Sequence, residues 1–181
     1  MKKLMLLVIL LAILISGCSV APVVGLSDDP GLNADNILTM EDFDLYDALI
    51  MRFMDAEPSG LNPKQRTVAA LITFDAEMMN GGLCQFFVND YNGYAQYVND
   101  ALEEVGALEM QAHYSGFIGD NGIDVTNMDS FRIASIQDYG KQFERYPYEE
   151  FDSTFSEIYQ SENLCDLLLS YVRLNAQEIL D

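Results

Sequence analysis

Apolar residues recur in steps of three and four along most of this chain, the spacing of one face of an α-helix. Phe43, Tyr46, Leu49, Ile50 and Phe53 mark such a face up to about Ala56. Thr39 followed by Asp42 resembles a capping box, and Glu41, Asp42 and Asp44 suit the positive end of the helix dipole. Asn62-Pro63 is an N-cap and first-turn pair. The helix it starts carries Val68, Leu71, Ile72 and Met79 on one side and should end at Asn80-Gly81. A short segment, Leu83 to Asn89, follows, then a turn at Asn92-Gly93. Tyr94, Tyr97, Val98, Ala101, Leu102 and Val105 predict a helix closed by Gly106. Met110, Tyr114 and Phe117 predict the inward face of another over 107–118, and 119–129 reads as loop. Three more helices are expected at about 130–142, 149–161 and 163–180. Phe151, Phe155, Ile158 and Tyr159 stripe the second of them; Leu164, Leu167, Leu168, Tyr171 and Val172 stripe the third. No stretch alternates with period two over five or more residues. The pattern predicts an all-α fold, a single bundle of six to eight helices without internal repeats.

The start of the chain follows a different rule. Lys2 and Lys3 precede an unbroken apolar run from Leu4 to Ile15, and small residues follow. That is the layout of a secretory signal, and the run is too short to span a bilayer, which takes about 20 residues. Ile15-Ser16-Gly17-Cys18 resembles the lipobox of bacterial lipoproteins, in which the cysteine receives a diacylglyceryl group and becomes the first mature residue. Each buried methylene of such an anchor adds about 0.8 kcal/mol. The expected organisation is a signal peptide over 1–17, a lipidated Cys18 and flexible tether over 18–38, and a helical domain over 39–181. It places the protein in a bacterial cell envelope, held to a membrane by lipid on the extracytoplasmic side.

Charge narrows the partners. Loss of the signal leaves seven bases against 29 acids, a net charge near −22. Such a surface repels nucleic acid and anionic headgroups, and it attracts a basic protein. Two runs stand out: Asp28 to Asp47 holds seven acids and no base, and Glu149 to Asp166 holds six acids and no base.

Candidate chemistry is sparse. His113 is the single histidine, and Cys84 and Cys165 stand 81 residues apart, so no zinc spacing exists. Asp120, Asp124 and Asp129, or Asp90 with Asn92-Gly93, lack the full spacing of a calcium loop. No metal and no cofactor is expected. Cys84 with His113 is a Cys–His combination outside Cys18 that could supply a nucleophile and base. A carboxylate hydrolase acting on the cell wall would draw on Glu77, Asp75 or Asp90. Cys84 and Cys165 either form a disulfide in an oxidising compartment or pack as reduced, small apolar groups.

Glu77, Asn80-Gly81-Gly82-Leu83, Gln85-Phe86-Phe87, Asn89 and Gly93 resemble the hallmark of a bacterial domain family named after a dimeric DNA-mimic protein. Its usual text is roughly E-x-x-N-G-G-F-x-Q-Y-F-x-N, then a helix with an Ala-Leu and an Ile-Gly-Ala element. Ala101-Leu102 and Val105-Gly106-Ala107 supply those elements here, while Leu83 and Phe86 replace the usual phenylalanine and tyrosine. The resemblance covers about residues 40 to 180. It implies an all-α, acidic, non-enzymatic binding fold and allows a homodimer. The acidic surface by which the named member resembles a DNA duplex is not part of the motif, so none of its positions carries over.

Read as architecture, Gly81 is the left-handed helix end and Gly82 the immediate turn that sends Leu83, Phe86 and Phe87 into the core. Glu77, Gln85 and Asn89 are then expected to satisfy backbone groups freed at the turn. A left-handed Gly81 would make Gly81→Val cost more than about 1 kcal/mol. Together these features predict a lipid-anchored protein whose acidic helical domain binds a basic protein. An envelope hydrolase using Glu77, or a purely structural lipoprotein, is the alternative.

Overall fold

The structure, a computed structural model, describes residues 31–181. The expected signal peptide, Cys18 and the expected tether up to residue 30 lie outside the described residues. Nine α-helices form among the described residues: α1 Ala34–Thr39, α2 Asp42–Phe53, α3 Pro63–Asn89, α4 Ala95–Val105, α5 Leu108–Asn121, α6 Ile136–Phe143, α7 Tyr148–Ser161, α8 Leu164–Leu174 and α9 Ala176–Leu180. One-turn 3-10 helices at Pro58–Gly60 and Met128–Phe131 complete the all-α fold.

Asn62 and Pro63 start the helix around which the others pack. Asn62 accepts the Gln65 N–H at 2.9 Å while the Gln65 side chain accepts the Asn62 N–H at 3.0 Å, a reciprocal cap. The same two side chains donate to the carbonyls of Glu178 and Ile179, which fastens the chain's last turn to the start of α3. Five consecutive residues, Val68 to Ile72, have no exposed surface. A helix that is apolar all round is a central one, and α3 touches α2, α4, α7, α8 and α9.

An aromatic cluster fills the space on one side of α3. Phe74 meets Phe86, Tyr114 and Phe155 edge-on at 5.1, 5.6 and 5.7 Å. Phe87 adds Phe131 at 5.1 Å, and Phe117 adds Phe151 at 5.0 Å. Edge-to-face pairs at these separations place positive ring edges against negative faces. The predicted inward faces of α4 and α5 agree with this core: Tyr94, Val98, Leu102, Met110, Tyr114 and Phe117 are all buried. Gly106 closes α4 with φ 85°.

Several expectations change. Phe43 is 82% exposed, because the buried stripe of α2 is Leu45, Ala48, Leu49 and Phe53, on the side of the helix away from it. Met79 is exposed as well. The Thr39–Asp42 box does not form: Glu41 precedes α2 without a side-chain cap, and Thr39 ends α1. Ordered structure begins before the predicted limit at residue 38, since α1 has its own capping box at Asn33 and Asn36 and buries Ile37. The helix expected over 163–180 breaks at Asn175 into α8 and α9.

The largest change concerns the glycine pair. The chain does not leave the helix at Asn80-Gly81; it kinks once at Gly82 and resumes, so residues 83–89 continue α3 at a new angle. Gly82, not Gly81, has the positive φ, at φ 80° and ψ −173°. That region is open essentially only to glycine and costs other residues about 1–3 kcal/mol. Gly82→Ala should therefore destabilise by at least about 2 kcal/mol in urea unfolding. Gly140→Ala, within α6 and with open space around its Cβ, should instead stabilise by up to about 1 kcal/mol.

Candidate functional site

A kink frees backbone donors that the helix no longer satisfies. Asp152, arriving from α7, accepts the Leu83 N–H at 3.0 Å and so caps the second half of α3. Its carboxylate occupies the space that a Cβ on Gly82 would need. Burial pushes the Asp152 carboxyl above its ordinary range, and the Leu83 N–H and the nearby His113 draw it back. Across the bend, Glu77 accepts Gln85 Nε2 at 2.7 Å and Asn89 Nδ2 at 3.0 Å. The three side chains thus tie one half of α3 to the other. They bond to one another rather than to freed backbone groups, which corrects the role expected of them. A Cβ on Gly81 would collide with the Gln85 side chain. Both glycines are explained by close approach: Gly81 by Gln85, Gly82 by Asp152 and by its backbone angles.

The arrangement is therefore a clamp built from Glu77, Gly81-Gly82, Gln85 and Asn89, with Phe86 and Phe87 buried behind it and Asn80 exposed beside it. The model of the DMP19-like protein family matches residues 59–175, a span that contains the whole clamp and Asp152. The chain belongs to the DMP19-like protein family. No curated protein and no solved structure matches it. In this DMP19-like chain the hallmark residues hold a bent central helix.

The acids suggested for hydrolysis are each engaged. Asp75 is 3% exposed; its Oδ2 accepts the Tyr46 hydroxyl at 2.5 Å, and its Oδ1 has no partner. Burial pushes the Asp75 carboxyl up, and bonds from Tyr46 and Tyr159 oppose the shift. Asp90 caps α4 by accepting the N–H groups of Tyr94 at 2.6 Å and Ala95 at 3.0 Å. Glu77 and Asp90 line a small cavity of about 150 Å³ with Asp55 and Thr73.

Cys84 and Cys165 are free thiols in this structure, Cys84 buried and Cys165 half-buried. Burial pushes Cys84 up to about 12 and Cys165 up to about 11, far from a reactive thiolate. The His113 ring stacks on Phe151 at 4.2 Å with Nε2 3.0 Å from the Phe151 carbonyl. Among the described residues no cluster of three or more His, Cys, Asp or Glu could hold a metal ion.

The cations of this DMP19-like chain are spent within the molecule. Arg66 donates to the Pro58 and Leu61 carbonyls and lies over Tyr97. Arg173 grips the Met40 carbonyl and Asp42. Arg52, Arg132 and Arg145 lie over aromatic rings, and Lys141 pairs with Asp138. Lys64 pairs with Glu104. Burial raises the Glu104 carboxyl, but hydrogen bonds from Lys64, Thr67 and Tyr171 outweigh it and hold the group below its ordinary range.

Only three ion pairs form among the described residues, so most carboxylates face water uncompensated. Within the two acidic runs, Asp35, Glu41, Asp42, Asp44, Asp47, Glu150, Glu157 and Asp166 are exposed. Asp152 and Glu162 are structural instead; Glu162 caps α5 through the N–H groups of Glu109 and Met110.

Asp152→Ala, which strips the Leu83 N–H of its acceptor, should cost about 1–3 kcal/mol in urea unfolding. Asp75 sets a pH dependence. Its folded pKa lies above the unfolded value, so its contribution to stability is present below the ordinary carboxylate range and lost as pH rises through the raised value. Thermal melts from pH 4 to 8 should show Tm falling with pH, with a shallower fall in Asp75→Asn.

Proposed function

We propose that this chain is a lipid-anchored protein on the extracytoplasmic side of a bacterial envelope, where its acidic helical domain binds a basic protein. The anchor rests on the basic start, the apolar run and Cys18 in its lipobox context. Among the described residues no helix is long and apolar enough to cross a membrane.

One observation carries the binding reading. Every Lys and Arg of residues 31–181 is held against a carbonyl, a carboxylate or an aromatic ring of the same chain. With 29 acids against nine bases in the chain, the outward field is negative, and it speeds the encounter with a cationic surface. The acids engaged at the kink and at helix starts contribute structure, and the exposed acids support the binding reading.

Full-length protein used as bait in envelope extracts should recover basic partners at roughly 50 mM salt and lose them toward 1 M, where the screening length falls to about 3 Å. Recovery of the same partners at both salts contradicts the reading. Cys18→Ala should move the protein from the membrane fraction to the soluble one.

A further inference from the structure

The segment between Phe131 and Tyr148 is held differently from the rest of the domain. Every residue from Arg132 to Pro147 is at least partly exposed, and α6 within it buries none of its residues. No other stretch of that length among the described residues lacks a buried residue. Its ends are fixed, Arg132 over the Tyr91 ring at 4.5 Å and Tyr146 stacked on Phe131 at 5.9 Å. Between them the side-chain hydrogen bonds are local: Ser135 and Lys141 donate to Asp138, and Gln142 donates to the Ser130 carbonyl just before the segment. The backbone hydrogen bonds likewise stay within the segment and its chain neighbours. Eight residues with a glycine among them make a weak helix on their own. A segment with few buried groups and local bonds opens at a lower free energy than the whole domain.

What it covers is buried more deeply than the segment itself. Tyr139 and Phe143 are the residues by which α6 packs on the core, and both are only half-buried. The Tyr139 hydroxyl lies against the thiol of Cys84, which has no exposed surface. Phe143 stacks on the Tyr148 ring at 6.0 Å. The Tyr148 hydroxyl and the Gln142 Oε1 of α6 are buried without a hydrogen-bond partner among the described residues. Closing the segment shuts these two polar groups away from water, which favours opening. Asp152, which caps the bend at Leu83, comes from α7 and is not part of the segment.

We propose that residues 133–144 form a flap that opens as a unit on an otherwise folded domain and uncovers the Cys84 thiol. The bend and its Asp152 cap keep their places while it does so. Access to Cys84 is then set by the flap and not by the stability of the whole domain.

The test treats full-length protein with methyl methanethiosulfonate at about pH 8 and follows Cys84 by peptide mass spectrometry over a urea series. Burial holds the closed thiol up at about 12, so labelling reports opening. Amide exchange at Leu71, buried within α3, reports global unfolding in parallel. Openings read at Cys84 should outnumber global unfolding at least about tenfold without urea, with a shallower urea dependence. The α6 amides should open as often as Cys84 does. Ile179→Val, a buried change in α9, should speed Leu71 exchange about two- to tenfold and leave Cys84 labelling unchanged. Labelling of Cys84 with the frequency and urea slope of Leu71 exchange overturns the flap, and so does equal acceleration of both by Ile179→Val. Fast exchange in α6 while Cys84 is labelled only as often as Leu71 exchanges also overturns it, because the segment then opens without uncovering the thiol.

Discussion

The hydrogen bond from the Leu83 N–H to the Asp152 carboxylate is the contact on which the rest of the structure depends. A long central helix that ran straight past Gly82 would carry Phe86 and Phe87 in a different direction. The bend brings Phe86 against Phe74 and Phe87 against Phe131, at the centre of the aromatic core. A bend leaves a donor without an acceptor, and a buried unsatisfied donor costs about 1–3 kcal/mol. Asp152 removes that cost but brings a half-buried carboxylate with it. The only backbone that leaves room for the carboxylate is one without a Cβ, which is why the position is glycine. Glu77, Gln85 and Asn89 then tie the two halves of the same bend together.

The distribution of charge follows a related economy. Several polar groups in this fold are matched to named partners: Asp90 to α4, Glu162 to α5, Glu104 to Lys64, Thr67 and Tyr171. The few cations are consumed in such contacts or laid over rings. What remains outside is almost wholly anionic. A surface of that kind opposes self-association and anionic ligands alike, and it rewards a basic partner.

Much of the architecture was legible in the order of residues. Asn62, Pro63 and Gln65 announce the start of α3, and the faces of α4 and α5 follow from the spacing of Tyr94, Val98 and Leu102 and of Met110, Tyr114 and Phe117. Local rules suffice where partners lie within a turn or two. They misassigned α2, because Phe43 is as apolar as Leu45 and only the position of the neighbouring helices decides which one is buried. They put the left-handed residue at Gly81 rather than Gly82, since two adjacent glycines look alike until Asp152 is in place. Asp152 itself is 69 residues from Leu83, and nothing in its own surroundings distinguishes it from the exposed acids nearby.

Native-state hydrogen exchange at the Leu83 amide tests the central claim most directly. If Asp152 holds this donor and the bend is part of the core, Leu83 should exchange only through global unfolding, with the same protection as Leu71 or Phe74. Fast exchange at Leu83, alongside full protection at Leu71, would show that the bend opens on its own and would contradict the account.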